Sequence, residues 1–201
     1  MSTVTERQLD LLARMAALDP APTVMGGYAE DALLAGTVTR PHEDVDWLFP
    51  RSELDLRLEQ AAALGFGSFE TWGEAAPGIP FYLSAESGDL RLELGILDEE
   101  DGVLWVRVHR LFFDLDGHEP PAGYRVRMPT DTLSHPPAAI DGIALRVASP
   151  LALYQLRVGI ASQGSFGPLS DRHAAALRQL SEAYFPGVDE RDLEPHVEPL
   201  E

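Results

Sequence analysis

Two carboxylates one residue apart, Asp44 and Asp46, stand in a stretch that predicts a strand from Asp44 to Phe49. Side chains at i and i+2 leave a strand on the same face. Their roots then lie about 7 Å apart. Carboxylates so spaced can converge on one hard cation or bracket two. Mg²⁺ asks for oxygen ligands and usually needs only one or two protein carboxylates beside the phosphates of a substrate. Val45, Trp47 and Phe49 point the other way, towards a core. On spacing alone, an edge strand showing its charges to water is the commoner reading. A third acid changes the balance. The run from Leu90 to Ile96, LRLELGI, puts its leucines and Ile96 on one face and Arg91 and Glu93 on the other. If that strand neighbours the first, Glu93 approaches Asp44 and Asp46. Three like charges repel unless a cation lies between them. Such a cluster is a cation site or a set of shifted pKa values, and both readings are functional. A solvated Glu93 on a half-exposed strand is the alternative.

The elements that must position these acids can be read in order. Thr3 and Glu6 fit a capping box for an amphipathic helix running to Leu18. Thr23 to Met25 is a short buried strand, Gly26-Gly27 breaks it, and Tyr28 to Ala35 forms a helix that Gly36 stops. A glycine pair lets backbone come close to a ligand, and a following helix points free N–H groups at it, which suits a phosphate. A lone glycine pair is more often just a turn. Ser52 is the expected N-cap of a helix to Leu64. Further strands are expected near Phe66–Thr71, Phe81–Ser84, Leu104–Val108 and Tyr124–Met128. Asp141-Gly142, between Ala138–Ile140 and Ile143–Val147, is a two-residue hairpin signal. Ser149-Pro150 opens a helix to about Ile160, a loop follows over Gly164 to Pro168, and Asp171 to Tyr184 forms another helix with Asp171 as a cap. The tail beyond Pro186 is acidic and is expected to be partly ordered. The pattern is a sheet domain over residues 1–148 and a helical region over residues 149–201.

Composition narrows the chemistry. The 201 residues include 33 acids and 15 bases, a formal net charge of −18, and no cysteine. Disulfides and thiolate metal sites are excluded, so any metal is held by oxygen or imidazole. An acidic surface repels a phosphate backbone, so no nucleic-acid partner is expected, whereas a cationic small molecule would be attracted. Solubility alone is the main reason for such acidity. No apolar run reaches the ~20 residues of a membrane helix. The first residues lack the basic start and apolar core of a signal peptide, so a cytoplasmic protein with no membrane partner is expected. His109, His118, His135, His173 and His196 show no metal spacing and read as surface or packing residues. Trp72, Trp105 and Tyr82 could line an acceptor pocket, with core packing the better reading of each. The run Asp98 to Asp101 reads as a solvated loop whose charge could attract a polyamine-like molecule.

Taken together, Gly26, Gly27, Asp31, Thr39, Arg40, His42, Asp44, Val45 and Asp46 form a pattern. It resembles the nucleotidyltransferase superfamily that includes DNA polymerase β. More closely, it is similar to the aminoglycoside 2″-type and lincosamide nucleotidyltransferases. Their signature is a glycine pair, an Asp, then Thr-Arg-x-His-x-Asp-apolar-Asp. Asp46-Trp-Leu-Phe-Pro, Asp141-Gly142 and the Ser149-Pro150 helix continue the likeness. The strong part covers residues 23 to 50, and a weaker part extends to Phe185. Three departures stand out. One extra residue lies between Asp31 and Thr39. Glu93 stands where an Asp is common. Arg157 stands in a segment that often carries a Lys, in a chain whose basic residues are all arginine.

The resemblance implies an α+β nucleotidyltransferase fold: a mixed sheet flanked by helices, with a small C-terminal helical part. It implies that Asp44 and Asp46 hold one or two Mg²⁺ ions carrying ATP or another nucleoside triphosphate. Glu93 would complete the metal site and take the proton of an acceptor hydroxyl. Gly26 and Gly27 would admit the phosphates. Arg40 would contact phosphate or brace the loop against Asp31, the brace being the stronger reading. Asp31, Thr39 and His42 would support the site, His42 through an aspartate rather than through the metal. The implied acceptor is a small hydroxylated molecule, such as an aminoglycoside-like antibiotic. The alternative is an inactive or toxin–antitoxin-type protein of the same fold that acts on or binds a protein partner.

Overall fold

Local signals build the first helix. The computed structural model describes residues 3–71, 74–76, 79–109, 123–162 and 171–200. In α1 (Val4–Ala16) the Thr3 hydroxyl accepts from the Glu6 N–H at 3.2 Å, and the Glu6 carboxylate accepts from the Thr3 N–H at 2.7 Å. The helix buries Leu11, Leu12 and Met15. The chain then forms β1 (Thr23–Met25), α2 (Gly26–Leu34), β2 (Val45–Pro50) and α3 (Leu54–Ala63). Next come β3 (Glu70–Thr71), β4 (Glu74–Ala76), β5 (Ile79–Pro80), β6 (Tyr82–Ser87), β7 (Leu90–Glu100), β8 (Val103–His109) and β9 (Gly123–Arg127). A hairpin of β10 (Ala138–Ile140) and β11 (Ile143–Leu145) precedes α4 (Pro150–Ser162), α5 (Asp171–Tyr184) and β12 (Val197–Pro199).

The spine of the main sheet is β7. β2 runs parallel along one edge of it, from Val45 opposite Leu92 to Pro50 opposite Leu97. The other edge is shared: β6 pairs antiparallel over Leu90 to Gly95, and β8 over Leu97 to Glu100. β1 lies outside β2, while β9 and β12 continue beyond β8. A parallel pair needs a crossover, and α3 lies on the one between β2 and β7. The chain after β11 returns beside β1, with the Val24 N–H donating to the Arg146 carbonyl at 2.8 Å and the Ala148 N–H to the Val24 carbonyl at 2.9 Å. This return sets α4 close to α2. Val45, Trp47, Phe49, Leu92, Leu94 and Ile96 fill the core beneath the sheet. The Ser149 hydroxyl caps α4 by accepting from the Ala152 N–H at 3.2 Å. No helix among the described residues is long and apolar enough to cross a membrane.

Three local expectations need correction. Ser52 is not a cap: a 3-10 turn over Arg51–Glu53 precedes α3, held to the sheet by Arg51 bonding Asp98 and the Pro80 carbonyl. The strand expected from Phe66 is confined to β3, because the Phe66 N–H closes α3 on the Ala61 carbonyl at 3.0 Å. Asp98 to Glu100 are strand residues rather than loop. Asp98 is buried between Arg51 and Arg107, and Glu100 pairs with Arg107 and Arg125, so this acid is neutralised. Only Asp101-Gly102 turns, with φ of 52° and 75°. The acidic tail, expected to be partly ordered, contributes β12 to the open edge of β9. The expected loop at Gly164 to Pro168 lies outside the described residues.

Candidate active site

The sheet brings the predicted acids together. Parallel pairing puts Asp46 directly opposite Glu93, while Ser84 faces Glu93 from the other side. Asp44 stands one step before β2, half-buried. Met25 lies opposite Asp46, so the glycine pair starts beside that carboxylate. Gly26 has φ +66°, and a Cβ there would enter the Asp46 carboxylate, 2.8 Å from its Cγ. A Cβ on Gly27 would run into the His42 ring and lie 2.9 Å from the Arg40 guanidinium. Both positions therefore require glycine for close approach, and Gly26 also for its backbone conformation.

Like charge accumulates here. Burial pushes the Asp46 carboxyl well above its usual range, and Asp44, Glu93 and Glu30 push it further, while Arg157 pulls it back. Glu93 is raised too. Burial is the main cause and Asp44 adds to it, against the opposing Tyr82 hydroxyl and Arg91. The Tyr82 hydroxyl donates to Glu93 Oε2, and Arg91 lies 2.6 Å from Glu93 Oε1. The hydroxyl of Tyr82 is itself raised by burial and then by Asp46 and Glu93. Asp46 and Glu93 bring together oxygen donors of the kind a magnesium ion takes, and the missing Cβ of Gly26 makes room for the Asp46 carboxylate. Among the described residues, no group of three or more His, Asp or Glu side chains is already arranged to hold a metal. Both oxygens of Glu93 are engaged, one by Tyr82 and one by Arg91.

The loop that carries Thr39, Arg40 and His42 is a brace. Asp31 accepts from the Thr39 N–H at 3.0 Å and from the Thr39 hydroxyl at 2.5 Å. Burial would raise its pKa, but hydrogen bonds from His42 and Thr39 outweigh that and hold it below the usual range. Arg40 Nη1 lies 2.9 Å from His42 Nδ1, and His42 Nε2 lies 2.8 Å from Asp31 Oδ2. A guanidinium only donates. Nδ1 therefore accepts, and Nε2–H donates to Asp31. Arg40 braces through His42 and pairs with Glu30 at 3.7 Å, rather than meeting Asp31 directly. The His42 carbonyl accepts from Gln8 at 3.1 Å, and Gln8 accepts from the Tyr28 hydroxyl at 2.7 Å. Asp141 of the β10–β11 turn accepts from the Thr37 hydroxyl at 2.6 Å and the Val38 N–H at 3.1 Å, fixing the same loop.

One residue here went unrecognised in the sequence: Glu30 is buried and pairs with Arg157 of α4 as well as Arg40. Tyr82, weighed as pocket lining with core packing the better reading, donates its hydroxyl to Glu93. Trp105 is buried in the sheet, with the Arg125 guanidinium 4.1 Å from its ring. His196 pairs with Glu198 at 2.8 Å. Trp72 and His118 lie outside the described residues.

The architecture has known counterparts among solved structures. The crystal structure of the aminoglycoside nucleotidyltransferase ANT(2″)-Ia in complex with adenylyl-2″-tobramycin superposes with a TM-score of 0.64 at 19% identity, covering 94% of this chain and 93% of that one. The solution structure of the antibiotic-resistance factor ANT(2″)-Ia gives 0.58 at 20% identity, covering 94% and 88%. The chain has the nucleotidyltransferase fold. No protein-family model and no curated protein matches it. Within this nucleotidyltransferase fold, Asp46 and Glu93 face each other across β2 and β7, Asp44 lies near enough to act on both charges, and the glycine pair abuts Asp46.

Proposed function

We propose that this protein transfers a nucleoside monophosphate from a nucleoside triphosphate to a hydroxyl of a small acceptor, releasing pyrophosphate. The observation that carries the reading is the register of β2 on β7, which sets Asp46 against Glu93 with Gly26 pressed on the Asp46 carboxylate. Asp44, Asp46 and Glu93 would hold Mg²⁺, one ion or two, which when bound neutralises charge on the phosphoryl oxygens. Gly26 and Gly27 admit the phosphates, and Arg40 contacts them from the braced loop. Glu93 accepts the proton of the acceptor hydroxyl, a role that a carboxylate with a raised pKa suits. Asp31, Thr39 and His42 support the loop. ATP is the first nucleotide to test. The formal charge of −18 supports a cationic acceptor of the aminoglycoside class. In this reading residues 1–148 are the transferase domain, and residues 149–201 are a mainly helical adjunct that returns one strand, β12, to its sheet. Incubating the protein with Mg²⁺, ATP or GTP and a panel of hydroxylated cationic acceptors tests it. Pyrophosphate release that needs an acceptor and fails in Asp44→Asn supports the reading. Release that survives Asp44→Asn overturns the role given to the acids.

One observation favours a second reading. Tyr82 and Arg91 occupy both oxygens of Glu93. A protein of this fold that binds a partner without transferring a nucleotide would retain such a closed arrangement. It would bind no nucleotide in the presence of Mg²⁺.

A further inference from the structure

Glu30 stands where a helix that opens on a phosphate site has no evident need of an acid. Its side chain is 4% exposed and meets two guanidinium groups from separate segments, Arg157 of α4 and Arg40 of the loop before β2. Arg157 and Arg40 are themselves only 17% and 27% exposed. Removing one partner from a buried ion pair strands the other charge, so these pairings hold the two arginines toward Glu30. Arg40 lies against Gly27 and His42, and Arg157 is near enough to Asp46 to act on its charge. Two planar cations thus converge on Glu30, Arg40 from beside Gly27 and Arg157 from α4.

We propose that Glu30 is a positioning residue that holds Arg40 and Arg157 as a preset pair for the triphosphate of an incoming nucleotide. The inference rests on the transfer reading, because it needs a triphosphate to enter beside Gly26 and Gly27. A carboxylate at this place would otherwise lower phosphate affinity by adding negative charge. Its value lies in orientation: guanidinium groups fixed in advance lose less freedom when phosphate binds. A plain structural pin between α2 and α4 would affect folding and leave phosphate affinity alone.

Calorimetric titration with Mg²⁺-tripolyphosphate and with Mg²⁺-ATP separates these roles, comparing wild type, Glu30→Gln, Arg157→Gln and the double variant. Glu30→Gln is expected to weaken both ligands about tenfold despite its gain in positive charge. The double variant is expected to lose less than the product of the single losses, because Glu30 acts partly through Arg157. Unchanged or tighter binding by folded Glu30→Gln overturns the proposal. Should Glu30→Gln fail to melt cooperatively, Glu30→Asp keeps the charge and withdraws it by one methylene. Weaker binding by Glu30→Asp supports positioning, and wild-type affinity overturns it. Wild-type binding that depends on Asp46 but ignores Glu30 sinks this inference alone. No binding of either ligand by wild type overturns it together with the transfer reading.

Discussion

Neutralising Asp46 should make the metal-free protein more stable. Asp46 faces Glu93 across strands whose backbones run about 4.8 Å apart, and Asp44 adds its charge to both. Unit charges about 7 Å apart at an effective dielectric near 20 repel by roughly 2.4 kcal/mol. Arg157 and Arg91 offset part of this. Asp46→Asn should therefore gain about 1–2 kcal/mol at neutral pH, or roughly 3–6 °C in melting temperature for a chain of this size. The sign with pH follows from the raised pKa of Asp46. Between the ordinary carboxylate value and the raised one, the folded state binds more protons than the unfolded state. Stability therefore falls as pH rises through that window, and the loss is complete above it. Melts of both proteins in chelator, at pH 7 and at about pH 4, should show a gap that narrows on acidification. A variant no more stable than wild type at pH 7, or a gap independent of pH, would refute the like-charge cluster.

Gly26→Ala should cost at least about 1–2 kcal/mol from its left-handed backbone alone and displace the Asp46 carboxylate; a thermal melt and a nucleotide titration would read the two losses separately. Asp31→Asn removes an acceptor that holds Thr39 and His42, and should cost about 1–3 kcal/mol at neutral pH. Because the Asp31 pKa is lowered, that contribution is present above the ordinary carboxylate value and lost as pH falls towards the lowered one. A urea-unfolding series across acid pH checks it. Tyr82→Phe frees one oxygen of Glu93 and should lower turnover about tenfold while leaving Mg²⁺-nucleotide affinity unchanged, a split that steady-state kinetics would show.

The acids themselves were legible before any coordinates, because a period of two in residues 44–46 and 90–96 decides which face each side chain takes. Their meeting was legible only conditionally. Whether β2 neighbours β7 is a long-range fact, decided by the crossover rather than by either strand's composition. The glycine pair was ambiguous for a similar reason: a turn and a close approach look alike until Asp46 and His42 are seen pressed against it. Glu30 gave no signal, since its burial depends on Arg157, 127 residues away in sequence. The acidic run from Asp98 misled because its countercharges come from Arg51, Arg107 and Arg125 on three other segments. β12 is a strand chiefly because β9 offers an open edge, which no three-residue stretch announces.

The most direct measurement is calorimetric titration of ATP and GTP into wild type and Asp46→Asn, each with Mg²⁺ and with chelator. The site described here predicts saturable binding of at least one nucleotide to wild type with Mg²⁺. It also predicts that the heat disappears when either the ion or the Asp46 carboxylate is removed. Binding that persists in chelator, or that Asp46→Asn retains at full affinity, would contradict it.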